Sequence, residues 1–177
     1  MDISGKVRSV VRDVADYPRP GILFKDITPL LLNPALTHEA VNALAHRYEQ
    51  TPIDAVAAIE ARGFILGSLL ARELACAFVP VRKAGKLPYH TLRQRYDLEY
   101  GSAEIEIHVD AVKPGAQVLI HDDLLATGGT AAAAGRLIKA LGGEVVGFSF
   151  LVNLAFLEGQ QRLEAEFGCP VDSLVTY

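Results

Sequence analysis

In "HDDLLATGGT", His121 to Thr130, two adjacent carboxylates stand just ahead of a Thr-Gly-Gly-Thr turn. Carboxylates accept hydrogen bonds from hydroxyl groups or hold a cation, whereas a glycine-rich turn that opens a helix offers inward N–H groups to an anion. Gly128 and Gly129 permit the tight turn, and Thr127 and Thr130 add hydroxyl donors. The pairing fits a ligand with a phosphate at one end and vicinal hydroxyls beside it, which describes a phosphorylated sugar. A carboxylate pair that caps a sheet edge or binds a metal would read the same way locally, and the residues alone leave these readings open. The turn is not a Walker A loop, because no Lys follows the glycines, and it is not GxGxxG.

A second stretch carries charge of the opposite sign. "RKAGKLPYHTLRQRY", Arg82 to Tyr96, holds Arg82, Lys83, Lys86, Arg93 and Arg95 with no acid among them. The whole chain has 17 Lys and Arg against 21 Asp and Glu, a formal charge of -4, which argues against a general nucleic-acid binder. An anionic ligand must therefore be drawn by local positive charge. Taken alone, the stretch is either a solvated basic loop or one wall of an anion site.

The elements that would position these groups follow from length and periodicity. With 177 residues, half of them hydrophobic, the chain fits one domain spanning 1–177 with a well-filled core. Cys76 and Cys169 lack metal-ligand spacing and are too few for a disulfide framework, so they read as buried thiols of a reducing compartment. No basic-then-apolar leader opens the sequence and no apolar run is long enough for a membrane span, so a cytoplasmic location without a membrane partner is expected. Helical spacing runs from Asp2 to Ala15, an extended segment covers "ILFKDITPLL", and a helix follows over 34–50 with Asn33 as N-cap and Pro34 at its first position. "DAVAAIEA", "AFVPVR", "AQVLIHD" and "EVVGFSFLV" read as core strands. "RGFILGSLLARELA" and "TAAAAGRLIKAL" are the helices between them, and "AEIEIHV" is a half-exposed hairpin strand. Alternating apolar strands and helices predict an α/β fold with a central, mostly parallel sheet flanked by helices. Ligands of such sheets bind beyond the carboxyl ends of the strands, where "EAR", "VRK" and "HDD" would converge.

"VLIHDDLLATGGT" resembles the signature of the type I phosphoribosyltransferases, which bind 5-phosphoribosyl 1-pyrophosphate (PRPP). "PGILFKDITPLL", "EARGFILG", "VPVRKAGKLP", "YDLEYG", "IEIHVDAVKPG" and "LAFLEG" are similar to blocks of the adenine-specific branch, in the same order and over nearly the whole length. The resemblance implies that family's fold, with a small hood to which residues 1–33 contribute, and a flexible catalytic loop over about 86–101. It implies transfer of the phosphoribosyl group to adenine, with Mg2+ held mainly by PRPP and water near Asp122 and Asp123 and without direct protein ligation. It also implies a homodimer in which Arg82 reaches the neighbouring site.

The resemblance distributes roles as follows. Ala126, Thr127, Gly128, Gly129 and Thr130 bind the 5-phosphate, and Asp122 and Asp123 contact the ribose hydroxyls. Arg62, Arg82, Lys83 and Lys86 face pyrophosphate, and Arg93 and Arg95 stay solvated or engage only transiently. Phe24 stacks on adenine, Leu23 and Lys25 offer main-chain groups to its edge, and Leu157 packs on its other side. Glu99, from a closing loop, takes the proton that adenine loses, with Tyr100 helping to seal the loop; Arg62 and Lys83 complete the catalytic set. Relatives that act on 6-oxopurines place Asp at the first position of the phosphate turn, where this chain has Ala126, which points to adenine. His121 stands where many relatives are apolar, either adding pH sensitivity or packing beside the strand. Asn153 replaces a common Glu near the base pocket. Another base specificity and a non-catalytic PRPP sensor are the competing functions. The first is separated by a panel of bases, and the second would require a DNA-binding appendage for which one domain of this length has no room.

Overall fold

The computed structural model describes residues 1–97 and 101–177. Its core is a seven-stranded sheet whose parallel strands come from the four apolar runs and from one strand that the sequence patterns did not show. These are β3 (Ala55–Ile59), β4 (Ala77–Lys83), β7 (Gln117–Leu125), β8 (Glu144–Asn153) and β9 (Val171–Thr176). The hairpin of β5 (Thr91–Asp97) and β6 (Ser102–His108) adds antiparallel strands at one edge, giving the order β5-β6-β4-β3-β7-β8-β9. Helices α4 (Gly63–Glu73), α5 (Gly129–Ala140) and α6 (Gly159–Phe167) follow β3, β7 and β8.

Side chains alternate across the parallel strands, and both faces are covered. Ala55, Ala57 and Ile59 of β3 pack with the buried alanines, Leu137 and Ile138 of α5. Val56, between them, packs with Leu66 and Leu70 of α4 on the opposite face. Helix α3 (Pro34–His46) joins α4 there, and its Asn33 cap is real: the Leu36 N–H donates to Asn33 Oδ1 at 3.1 Å. No helix among the described residues is long and apolar enough to cross a membrane.

The amino-terminal segment departs from its sequence pattern. Helix α1 (Ile3–Val10), capped by Asp2, stops five residues before the apolar spacing does. Arg12–Ala15 instead form β1, paired antiparallel with β2 (Leu23–Asp26). The β-branched Val11 and Val14 suit either state, and the partner strand across the Pro18–Gly21 turn decides between them. The extended segment is likewise shorter than read, because Thr28–Leu31 coil into a short helix, α2, with Pro29 in its first turn.

The hairpin corrects two further expectations. The basic stretch is not an open loop to Tyr96, since β5 begins at Thr91. Nor does β6 alternate between core and solvent, because Ile105, Glu106 and Ile107 are all buried. A carboxylate at a core position is the reason for both, as the site geometry shows.

Candidate active site

The carboxyl ends of β4, β3 and β7 lie side by side, with Ile59 opposite Val81 and Ala58 opposite His121. This adjacency brings Arg62, Arg82, Lys83, Asp122 and Asp123 to one edge, as expected. Arg62 Nε donates to Asp123 Oδ2 at 2.6 Å, and the guanidinium carbon stands 5.0 Å from the centre of the Phe24 ring. Phe24 also meets Tyr17 edge-on at 5.0 Å. An aromatic face, a guanidinium and a buried carboxylate thus form one cluster.

Asp122 and Asp123 occupy different surroundings. Asp123 is almost wholly buried and takes the Arg62 bond. Burial, followed by the charge of neighbouring Asp123, pushes the Asp122 carboxyl well above its usual range. The turn into α4 crowds against this pair: a Cβ at Gly63 would meet Asp122 Oδ1 at 2.7 Å. Only glycine lets Arg62 sit that close to the acids.

Beyond Asp122 the backbone turns through Ala126, Thr127 and Gly128 into α5. Gly128 has φ 76°, the left-handed region that a side chain disfavours, and Gly129 begins the helix. Asp122, Leu124, Leu125, the segment 126–131 and Phe150 line a pocket of about 80 Å³. That room suits one phosphate group and excludes a nucleoside. The cleft between α3 and α4 is larger, about 520 Å³, but it lies on the helical face away from the strand ends and is lined by His46, Glu49 and Glu73.

Sequence reasoning missed what holds the basic turn in place. Glu106 Oε1 accepts from the N–H groups of Lys86 and Leu87 at 2.9 and 2.8 Å, and Oε2 accepts from Thr91 Oγ1 and Arg93 Nε at 3.2 and 3.1 Å. Burial alone would raise this carboxyl, but the N–H donors of Leu87, Gly85 and Lys86 and the Thr91 hydroxyl prevail and lower its pKa to about 2. Arg82 donates to Glu60 Oε1 at 3.0 Å and to the Lys86 carbonyl at 2.8 Å, and Glu60 Oε2 accepts the Lys83 N–H at 3.0 Å. The Lys86 peptide is therefore held from both sides, while the Lys83 and Lys86 side chains are exposed. Arg93 and Arg95 are exposed, as expected, and each also has a partner: Arg93 Nε donates to Glu106 across the hairpin, and Arg95 Nε donates to Ser102 Oγ at 2.8 Å.

The remaining sites are less closely joined. Leu23 and Leu157 are exposed, the first opening β2 and the second on the 3-10 turn Ala155–Leu157. The Lys25 side chain points away from Phe24, bonding Asp13 at 2.6 Å and covering the Tyr177 ring at 4.0 Å. Glu99 and Tyr100 lie outside the described residues. His121 is fully buried, 3.4 Å from Ser149 Oγ, and burial pushes its pKa down to about 4. Asn153 is buried as well and donates to Gln160 at 3.1 Å. No cluster of three or more His, Cys, Asp or Glu that could hold a metal occurs among the described residues.

Helix α6 backs the 126–128 turn from outside, which the sequence does not signal. A Cβ at Gly159 would fall 2.1 Å from the Ala126 carbonyl oxygen and 3.0 Å from the Gly128 nitrogen. Leu163, one turn on, is fully buried. Such support from more than thirty residues away leaves no local signal in the turn itself.

The phosphoribosyl transferase domain family model matches residues 28–169 of the chain. The adenine phosphoribosyltransferase of Thermobifida fusca is 54% identical over 162 residues, covering 92% of each chain. The crystal structure of adenine phosphoribosyltransferase from Rhodothermus marinus agrees with a TM-score of 0.93 at 50% identity, covering 99% of this chain and 98% of that one. The Saccharomyces cerevisiae enzyme, complexed with adenine and D-2,5-dideoxy-2,5-imino-altritol 1,6-bisphosphate, agrees at 0.89 and 37%, covering 97% of this chain and 98% of that one. With the fold and nearly the full length in common, this chain belongs to the adenine phosphoribosyltransferase family.

Proposed function

We infer that the chain transfers the 5-phosphoribosyl group of PRPP to adenine, releasing pyrophosphate and giving AMP, a reaction of purine salvage. The observation that carries this reading is the meeting of a phosphate-sized pocket, two carboxylates and Arg62 at the carboxyl ends of β3 and β7. In the proposed complex the 126–130 turn binds the 5-phosphate through N–H and hydroxyl donors, and Asp122 and Asp123 accept from the ribose hydroxyls. Arg62 leaves Asp123 for the pyrophosphate, joined by Lys83 and Lys86 on the turn that Glu106 holds. Phe24 stacks on adenine, Leu157 covers its other side, and the Leu23 and Lys25 peptides meet its edge.

In this mechanism the adenine nitrogen forms a bond to the anomeric carbon as the bond to pyrophosphate breaks. Glu99 accepts the proton that the base loses, and the cations take up the charge developing on the leaving group. The residues suit Mg2+ as a hard cation bound through substrate oxygens, because Asp122 and Asp123 place adjacent carboxylate oxygens at the end of β7. When bound, Mg2+ supplies charge neutralisation to the pyrophosphate. A homodimer in the cytoplasm, with Arg82 exchanging Glu60 for the neighbouring subunit's site, completes the proposal.

The test is turnover of PRPP with Mg2+ and a panel of purine bases. Adenine should support nucleotide formation and hypoxanthine and guanine should not, and the reverse pattern would overturn the adenine assignment. Glu99→Gln should cut kcat by about 10²-fold or more while PRPP still binds. Unchanged turnover would remove Glu99 from its role.

A further inference from the structure

The donors of the 126–130 turn are all neutral, and the carboxylates of Asp122 and Asp123 stand beside it. A phosphate monoester brings close to two negative charges into this setting, and the cations Arg62, Lys83 and Lys86 belong to the pyrophosphate end. A cationic group close to the turn comes from elsewhere in the chain. Arg162 Nη1 lies 3.5 Å from the Thr127 carbonyl oxygen and 3.7 Å from the position that a Cβ on Gly129 would take.

Its placement follows from how α6 docks. Gly159, Arg162 and Leu163 are spaced i, i+3 and i+4, so they share one face of the helix. Gly159 presses on the Ala126 carbonyl and the Gly128 nitrogen, and Leu163 Cγ lies 3.4 Å from the Cβ position of Gly128. The residue between these two anchors is thereby brought beside Thr127 and Gly129, which line the pocket. The Arg162 guanidinium is exposed, and its one polar contact among the described residues is the long approach to Thr127. A guanidinium with most of its five donors unspent, beside helix-start N–H groups, is suited to a phosphate oxyanion.

We propose that Arg162 is a phosphate-binding side chain of this pocket, supplying the positive charge that the turn lacks and selecting ligands that carry a 5-phosphate. The proposal rests on the reading of the 126–130 turn as the 5-phosphate cradle.

Binding of AMP, ribose 5-phosphate and adenosine to wild type, Arg162→Gln and Arg162→Lys, measured by calorimetry at two salt concentrations, tests it. Arg162→Gln should weaken AMP and ribose 5-phosphate by about 10-fold and leave adenosine unchanged. The salt dependence of AMP binding should flatten, and Arg162→Lys should recover part of the loss. KM for PRPP should rise more than kcat falls. Unchanged AMP affinity in Arg162→Gln, or an equal loss for adenosine, overturns the role of Arg162 alone. A wild-type chain that does not prefer AMP to adenosine overturns the cradle, and Arg162 with it.

Discussion

Replacing Gly159 with alanine tests whether α6 sets the shape of the pocket that the 126–130 turn lines. The added methyl would stand 2.1 Å from the Ala126 carbonyl oxygen and 3.0 Å from both the Gly128 nitrogen and Leu125 Cδ1. A carbon and a carbonyl oxygen in contact keep about 3.3 Å, so α6 and the turn must part by roughly 1 Å. Neither the turn nor the helix start can give as the end of a flexible side chain would, because the nearest obstacle and one of the other two are backbone. Gly159 does not adopt a left-handed φ, so the penalty is steric and not conformational. Overpacking of this kind costs about 1–3 kcal/mol, or roughly 2–12 °C in Tm for a chain of this size. The same displacement moves the N–H donors, and 1 Å of misplacement is worth up to about 10²-fold in rate. Steady-state kinetics with PRPP and calorimetric unfolding, with exposed Gln161→Ala as control, should show kcat/KM reduced by about 10-fold to 10²-fold and Tm lowered only in Gly159→Ala. Wild-type kcat/KM for PRPP in Gly159→Ala would refute the coupling, whatever happened to Tm.

Two buried titratable groups give further outcomes. Glu106→Gln replaces an acceptor-only carboxylate by an amide that cannot serve four donors, and should cost about 2–4 kcal/mol in denaturant unfolding at pH 7, with a raised KM for PRPP; unaltered stability would show the cluster to be incidental. His121 has a folded pKa near 4 against an ordinary 6.5, so the unfolded chain binds the extra proton and stability falls as pH drops from about 6.5 towards 4. Relative to His121→Val, wild type should lose about 2 kcal/mol between pH 7.5 and pH 5, and parallel pH profiles would contradict a buried neutral imidazole. The raised carboxyl of Asp122 acts in the opposite sense and is common to both proteins.

Most of the parallel sheet is legible in the sequence because its strands are short apolar runs punctuated by helices of clear period. The acidic pair and the glycine turn are legible for a different reason: they lie within nine residues and their chemistry is local. Strand β5 is not legible, because its charged and polar residues show no apolar alternation and the carboxylate that organises it comes 13 residues after Arg93. Helix α1 is overrun because valines at Val10, Val11 and Val14 satisfy both periods. The pairing of Arg62 with Asp123 follows only from β3 lying beside β7, and the roles of Gly159 and Arg162 only from how α6 packs. Contacts between distant segments carry no spacing to read.

The pairing of Arg62 with Asp123 and of Arg82 with Glu60 makes the strand-end surface an ion exchanger. Each guanidinium already has a counter-ion from its own chain, so an incoming polyphosphate gains the difference between two partners and not the full attraction of a bare cation. The released carboxylate, left in a buried place, then needs a donor of its own, and a sugar with vicinal hydroxyls brings one. On the proposed reading of the site, an anion without such hydroxyls would strand Asp123, so the resting ion pairs would disfavour free pyrophosphate and inorganic phosphate relative to PRPP.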